Sequence, residues 1–275
     1  GAILMAPITL FCKSYLPDLP RLEKLVESYL RFNRDNLEFF VSVPEAELDH
    51  FRKCIGNAVV WIADEKILAA NPAISLDAYR ALPGQVSQQI IKAEFWRINH
   101  SENYLCLDSD MRFIRDFGIS DFIDSSGTPF TIMHEGKAML ESWFGYRFHR
   151  QLHGFRNTAR AMQAQFGRSG PLYNFGPFPV IWNGRVWADL AKDLESRNSN
   201  IFLAIASEPH EASWYGEALL KFRSIPLLPR EPLFKAYLYL EDYEDDARVG
   251  LDESHLADYY LGVVYQSNWY PSRLK

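Results

Sequence analysis

The sequence has 275 residues, 48% of them hydrophobic and 15% aromatic, so the chain can bury a large core and is not expected to be disordered. Its net charge of -6 comes from acids and bases interspersed along the chain, without the basic stripe that binding a phosphate backbone requires. Nucleic acid is therefore a poor candidate partner. No apolar run approaches the length of a membrane span and no signal-peptide pattern is visible, so we expect a soluble or peripherally attached protein.

The cysteines and the first residues bear on location. The chain has an odd number of cysteines, namely Cys12, Cys54 and Cys106, and none of them is part of a CxxC motif. Two of them lie in apolar runs, where Cys acts as a small hydrophobe. This favours a reducing, cytoplasmic compartment, including the inner face of a membrane. Gly1–Leu4, which precede Met5, read as a cloning remnant without functional weight.

Strands and helices alternate in the first part of the chain. "APITLFCKSY" predicts a strand, and "LPDLPRLEKLVESYLRF" predicts a helix that begins at its prolines. "LEFFVSVPEAELDHFRKCI" repeats this pattern, and "NAVVWIADEKIL" supplies a third apolar run. A helix over residues 86–98 turns Ile90, Ile91 and Phe95 inward and leaves Gln89 and Lys92 on another face. The order predicts an α/β fold with a Rossmann-like, mostly parallel central sheet and helices on both faces.

The alternation weakens after Phe117. "TPFTIMHEG" predicts a strand, "SWFGYRFHRQLHGF" is aromatic and basic, and "NTARAMQAQFG" predicts a short helix. Glycines, prolines and aromatic residues between Trp143 and Trp187 predict an irregular wall over the sheet. "VIW" is a predicted strand, "EASWYGEALLKF" a predicted helix, and "PLFKAYLYLEDYEDD" is expected to be extended. Without a repeat or a clear linker, a single domain over residues 1–275 is the simplest division.

Two acids, Asp108 and Asp110, follow the apolar run "YLCL" directly. In open α/β sheets ligands bind beyond the carboxyl ends of the strands, where this pair is expected to lie. Two carboxylates supply the oxygen ligands that Mg²⁺ and Mn²⁺ prefer, and they leave coordination positions for a diphosphate. On the tripeptide alone, a solvated polar turn fits equally well.

Four features in order carry a family resemblance: Gln88 with Lys92, then "YLCLDSD", "NFGPFPVIW" and "EASWYG". From "ITLFCKSY" to about Phe222 the chain resembles the GT-A class of nucleotide-sugar glycosyltransferases, and within it a group of bacterial proteins with a DSD form of the DxD motif. The resemblance implies a nucleotide-sugar half over residues 5–117 and an acceptor half with a C-terminal tail over residues 118–275. It also implies sugar transfer from a nucleotide-sugar donor to a saccharide or glycolipid acceptor in bacterial surface polysaccharide synthesis.

The same resemblance implies roles for individual residues on the donor side. Lys13, Ser14 and Tyr15 would border the nucleotide, and Asp108, with Ser109 in the same turn, would approach ribose or sugar hydroxyls. Asp110, with Asp108 as a second candidate ligand, would bind Mn²⁺ or Mg²⁺, which stabilises the leaving diphosphate. Lys92 would add positive charge, although an exposed helix lysine is nearly as compatible with the sequence. For Lys13, a solvated loop lysine is the more common state.

Glu211 is the implied base that takes the proton from an acceptor hydroxyl, if the reaction inverts. Its position also has a structural explanation. Ser207 or Glu208 would cap the helix with Pro209 at its first position, and the helix dipole favours an acid in the first turn.

Several other residues are candidates for contact with the acceptor or the metal ion. Tyr173 and Asn174 are expected to contact a sugar, whereas Phe178 and Trp182 are expected in the core. His134 with Glu135 either lines the acceptor pocket or is a polar strand end. His255 reads as part of a capped surface helix. At the C-terminal position where the resemblance implies a further metal ligand, this chain has Gln266 and Ser267, which are not strong ligands. A metal site with three protein ligands is therefore in doubt.

Three alternatives compete with this interpretation. A haloacid-dehalogenase phosphatase requires Thr or Val where Arg112 stands and places its acid pair on the first strand. A sugar nucleotidyltransferase requires a Gly-rich, basic loop that "LFCKSYLPDLPRLEK" lacks. A non-catalytic sugar-nucleotide-binding protein on the same fold stays open, since fold does not fix function.

Overall fold

The structure is a computed structural model that describes residues 6–141 and 149–266. Gly1–Leu4, residues 142–148 of the predicted aromatic and basic stretch, and Ser267 lie outside the described residues. No helix in the two described ranges combines the length and apolar character needed to cross a bilayer.

The central sheet has five strands, numbered here in chain order through the whole molecule: β1 (Thr9–Lys13), β2 (Phe39–Val43), β3 (Val60–Ala63), β4 (Asn103–Leu107) and β7 (Val180–Asn183). Their spatial order is β3-β2-β1-β4-β7. The first four run parallel, while β7 pairs antiparallel with β4. Because both faces are covered, β2 and β4 are buried along their whole length and read as continuous apolar runs. The predicted α/β fold with a mostly parallel sheet and flanking helices is confirmed.

The helices of the described residues are α1 (Leu19–Phe32), α2 (Leu48–Ile55), α3 (Asp64–Ala69), α4 (Leu76–Arg80), α5 (Gly84–Glu94), α6 (Lys137–Glu141), α7 (His149–Gln165), α8 (Gly184–Ser196), α9 (Ile201–Ser207), α10 (Glu211–Phe222), α11 (Leu240–Arg248) and α12 (Glu253–Leu256). Helix α1 has a proline in its first positions, as predicted. Helix α5 ends earlier than expected, because a 3-10 turn over Phe95–Arg97 follows it. Helix α7 is longer than the predicted one.

Two smaller sheets complete the fold. Strands β5 (Met111–Phe113), β9 (Phe234–Tyr237) and β10 (Gly262–Tyr265) form one, with β10 in the middle, antiparallel to β5 and parallel to β9. Strands β6 (Thr131–Ile132) and β8 (Pro229–Arg230) form the other. The prediction that "PLFKAYLYLEDYEDD" is extended is half wrong, since its acid-rich second part forms α11. There Tyr243 packs against Tyr237 of β9 with ring centroids 5.4 Å apart.

An aromatic core fills the space between the sheet and helices α8 and α10. The Trp182 ring on β7 lies 5.1 Å from that of Trp187 and 5.7 Å from that of Tyr215. Trp182 is fully buried, as expected of a core residue. This packing fixes α10, and therefore its first turn, relative to the end of β4.

Gly216 on α10 allows the irregular segment that contains Phe175 to pack closely against that helix. A Cβ atom at Gly216 would lie 2.2 Å from ring atoms of Phe175, nearer than van der Waals contact permits. The glycine of the "WYG" motif is therefore explained by the approach of the Phe175 ring.

We predict that Gly216→Ala lowers the free energy of unfolding by about 1–3 kcal/mol, because the added methyl group must displace the Phe175 ring. Gly154→Ala is the matched control. Gly154 also lies within a helix, but no atom lies within 4 Å of the position that an added methyl group would take, so this substitution is expected to stabilise the protein by about 0.5–1 kcal/mol. Urea unfolding followed by circular dichroism measures both, and equal effects of the two substitutions would contradict the packing argument.

Candidate functional site

The candidate site lies where the strand order of the central sheet reverses. Strand β1 pairs with β2 on one side and with β4 on the other, so successive connections diverge from the gap between β1 and β4. Open α/β sheets bind ligands at such a switch point, beyond the carboxyl ends of the strands. Lys13 ends β1 and Asp108 directly follows β4, so the structure brings these two predicted residues to the same edge.

The Asp108–Ser109–Asp110 turn joins the central sheet to the second sheet. Ser109 is buried, whereas Asp108 and Asp110 are partly exposed. The backbone N–H of Tyr265 on β10 donates to the carbonyl oxygen of Asp110 at 3.0 Å. The turn is therefore attached at both ends to paired strands, which fixes its backbone.

Lys92 on α5 is the centre of the site. Its Nζ lies 3.1 Å from Oδ1 of Asp108 and 2.9 Å from Oε1 of Glu211, and 4.0 Å from the centroid of the Phe178 ring. Burial by itself would lower the pKa of Lys92, but the negative charges of Asp108 and Glu211 outweigh this and raise it above its ordinary value. The ammonium group therefore stays charged while it is almost fully removed from water.

The alternative of an exposed helix lysine is thus wrong for Lys92, and the outward position predicted for Gln89 and Lys92 is wrong as well. Helix α10 covers this side of α5, and Gln89 and Lys92 are both buried beneath it. Oε1 of Gln89 accepts a hydrogen bond from the backbone N–H of Glu211 at 3.3 Å. Gln89, rather than the Gln88 of the sequence motif, therefore connects the two helices.

Glu211 is the first residue of α10 and is buried. The predicted caps are wrong, since Ser207 ends α9, Glu208 follows it, and the N-cap position belongs to His210, which makes no side-chain cap bond. The expected location of Glu211 in the first turn is correct. Its carboxylate reaches Lys92, so the residue does more than complement the helix dipole.

Lys13 also differs from the expected solvated state. Its Nζ lies 2.9 Å from Oδ2 of Asp64 and donates to the carbonyl oxygen of Ser14, and both members of the ion pair are nearly buried. Oδ1 of Asp64 accepts from the Ser42 hydroxyl at 2.6 Å. Burial raises the pKa of the Asp64 carboxyl, and the Lys13 ammonium opposes this shift. Asp64 was missed in the sequence, although it follows β3 just as Asp108 follows β4.

Ser14 and Tyr15 continue the edge after β1. The Ser14 hydroxyl is buried and has no hydrogen-bond partner among the described residues, while its backbone N–H donates to Ser42 at 2.8 Å. A buried hydroxyl without a partner is destabilising unless water or another group completes its hydrogen bonds. Tyr15 is 49% exposed and lies at the surface of the same edge.

A cavity of about 350 Å³ opens beside Glu211. Tyr173 and Asn174 line it, as does Glu135 from the other side. Arg168 holds the wall loop to α10 through two bonds to the Glu217 carboxylate, at 2.7 and 2.8 Å. The two residues expected to contact a sugar therefore share one cavity with the expected base.

His134 does not line this cavity. Its Nε2 donates to the carbonyl oxygen of Gly176 at 2.5 Å, and its Nδ1 accepts from the backbone N–H of Gly136 at 3.0 Å. These two bonds make the His134 ring a brace for the turn beside Glu135, which agrees with the alternative of a polar strand end.

Asp108 and Asp110 are the carboxylates that could hold a metal ion. Within residues 6–141 and 149–266, no three His, Cys, Asp or Glu side chains are grouped closely enough to bind one by themselves. His255 is exposed and bonds to its own helix cap, Asp252, at 2.7 Å. A metal ion at the turn would therefore depend on oxygen ligands from a bound substrate or water in addition to the two acids.

Two solved structures are similar to this chain. The bifunctional glycosyltransferase WbbM matches with a TM-score of 0.50 and 10% identity, over 96% of this chain and 46% of that chain. Mouse xyloside xylosyltransferase 1 matches with a TM-score of 0.48 and 8% identity, over 95% of this chain and 98% of that one. At such low identity, the match to WbbM shows a shared fold and nothing more about chemistry.

The sequence itself gives a family. No curated protein matches the chain in sequence. The family model DUF6492, described as a family of unknown function, matches residues 1–255. Because this match spans most of the sequence, the chain belongs to the DUF6492 family.

Proposed function

We propose that the protein is a metal-dependent glycosyltransferase of the GT-A type. It would transfer a sugar from a nucleotide-sugar donor to a saccharide or glycolipid acceptor in bacterial surface polysaccharide synthesis. One observation carries the proposal: the buried ammonium of Lys92 binds Asp108 at the switch point and Glu211 beside the adjacent cavity. A donor-side acid and an acceptor-side acid are thus fixed against one cation.

The edge after β1 and β4 supports a nucleotide site. Lys13, Ser14 and Tyr15 would border the nucleotide, with the unpartnered Ser14 hydroxyl available to a ligand oxygen. Asp108 and Ser109 would contact ribose or sugar hydroxyls. The Lys13 ammonium, held by Asp64, places a positive charge at this edge for the donor's phosphates.

The acid pair fits a divalent ion shared with a diphosphate. Asp110, with Asp108 as the second ligand, supplies hard oxygen donors of the kind that Mn²⁺ and Mg²⁺ accept, and both side chains are partly exposed. When bound, such an ion would stabilise the negative charge on the departing nucleoside diphosphate.

Glu211 supports the transfer step on the other side. Its carboxylate would take the proton of an acceptor hydroxyl in the cavity lined by Tyr173 and Asn174. The acceptor oxygen would then form a bond to the anomeric carbon. The bond from that carbon to the diphosphate oxygen breaks, and its electron pair leaves with the nucleoside diphosphate.

We also place this reaction in the cytoplasm, including the inner face of the membrane. The three cysteines of the chain, Cys12, Cys54 and Cys106, are all free thiols in the structure, and the first and third are buried. This supports a reducing compartment.

Release of the nucleotide from UDP-, GDP-, dTDP- and CMP-sugars with Mn²⁺ tests the proposal. We expect release from at least one donor, and Asp110→Asn should abolish metal-dependent donor binding and release without unfolding the protein. Asp116→Asn is the matched control, because Asp116 is exposed and pairs with Arg34 at the surface. Tight donor binding without release from any donor would favour a binding protein, and normal turnover of Asp110→Asn would remove the metal assignment.

For Glu211→Gln we expect an unchanged donor affinity and a transfer rate reduced about 10²–10⁴-fold, the usual contribution of a general base. Glu208→Gln, three residues earlier and outside the helix, serves as control and should keep the wild-type rate. Transfer assays at saturating donor measure both variants. An unchanged rate in Glu211→Gln would leave this residue with a structural role only.

Lys92→Met should lower the free energy of unfolding by about 3 kcal/mol, because it leaves buried Glu211 without its counter-charge. Asp108 contributes less, since its side chain is 33% exposed. Urea unfolding measures this loss, and exposed Lys192→Met is the control, with an expected change within about 0.5 kcal/mol.

A further inference from the structure

One long segment of the chain contains no acid. Residues 142–188 include six arginines but neither Asp nor Glu, although the whole chain has a net charge of -6. Acids from outside the segment neutralise some of these arginines. Arg168 lies 2.7 Å from a carboxylate oxygen of Glu217, and Arg185 lies 2.9 Å from one of Glu102. The mixing of acids and bases along the sequence therefore breaks down here, and positive charge is concentrated in an otherwise acidic protein.

Arg156 and Arg160 differ from these paired arginines. They stand one turn apart on the same side of α7, and both are exposed. In the described part of the chain no acid forms an ion pair with either side chain, and Arg160 donates to the neutral side chain of Asn157 at 3.2 Å. Two positive charges without counter-charges therefore face the solvent.

The apolar face of α7 continues beyond the core. Phe155, Ala159, Met162 and Phe166 recur at helical spacing, which places them on one face of the helix. Met162 and Phe166 are buried, whereas Phe155 is 46% exposed. Leu140 on α6 lines the same cavity as Phe155 and is 55% exposed. Apolar side chains therefore remain open to solvent next to the unpaired arginines.

We propose that an anionic lipid bilayer docks on the surface formed by Leu140, Phe155, Arg156 and Arg160, which we name the α6–α7 surface. Helices that lie in a membrane interface combine exposed Phe or Leu with Arg or Lys. The arginines attract anionic headgroups, and the two apolar side chains enter the boundary between headgroups and acyl chains. A second copy of this chain fits less well, because pairing two such surfaces would bring their unpaired arginines together.

The α6–α7 surface borders the cavity beside Glu211, since Leu140, Phe155 and Arg156 all line that cavity. A bilayer docked here would face the cavity. Under the proposed function, a glycolipid acceptor could then reach Glu211 while its acyl chains stay in the membrane. Docking itself does not depend on sugar transfer, and it is measured without donor, acceptor or metal ion.

Cosedimentation with sucrose-loaded vesicles tests the proposal. We expect the protein to bind vesicles of phosphatidylcholine and phosphatidylglycerol in equal amounts, to bind phosphatidylcholine alone much more weakly, and to be released by high salt, which screens the arginines. Arg156→Glu combined with Arg160→Glu should weaken binding about tenfold or more. Phe155→Ser removes apolar contact without changing the charge and should weaken binding about threefold or more. Because Phe155 is half exposed, this second variant keeps the test decisive if the double variant is unfolded by circular dichroism.

Arg52→Glu combined with Arg80→Glu is the matched control. It changes the net charge by the same amount at exposed positions on α2 and α4, and should leave vesicle binding within about twofold of the wild type. The proposal is overturned if the protein does not bind the mixed vesicles, if both double variants weaken binding equally, or if phosphatidylcholine alone binds as tightly. Sedimentation velocity adds one more outcome. A wild-type dimer that Phe155→Ser dissociates would assign the α6–α7 surface to a second copy and overturn the proposal as well.

Discussion

The buried ammonium of Lys92 is the interaction on which the candidate site depends. It contacts Asp108, which follows a strand of the central sheet, and Glu211, which begins a helix more than a hundred positions later in the sequence. Removing a lysine from water is unfavourable unless its charge is compensated, and here two carboxylates compensate it. Helix α5, the acid turn and the first turn of α10 must therefore keep their relative positions for Lys92 to remain buried.

The rest of the fold holds those three elements in place from different directions. The four parallel strands create the switch point, and antiparallel β7 brings the start of its strand, preceded by Phe178, beside the end of β4. The Trp182 and Tyr215 rings fix α10 on the sheet, while the Arg168–Glu217 pair holds the wall loop to the same helix. The acid turn, α5 and the first turn of α10 are thus parts of one packed unit.

Much of the fold could be predicted, because long apolar runs and helical periodicity identify β1, α1, β4 and α10 directly. The second sheet could not be recognised as a sheet. Its strand β9 lies in a stretch that is predicted to be extended, but β5, β9 and β10 are only three or four residues long, too short for their pairing to be read from the pattern of apolar residues. The acid pair was located by its place after a strand, and the same reasoning applied to β3 would have found Asp64. Periodicity shows that Lys92 faces away from the apolar side of its own helix. It does not show that α10 covers that side, so burial of Lys92 needed the tertiary structure.

The hydrogen bond from Tyr265 to Asp110 has a consequence for the order of assembly. More than half of the chain separates these two residues, and β10 fits between β5 and β9 rather than at an edge of its sheet. During synthesis, the acid turn emerges from the ribosome long before the strand that anchors it. The candidate site is therefore completed late, by a non-local pairing of the kind that slows folding. A nascent chain that has been synthesised only as far as residue 117 would contain both acids without their final support.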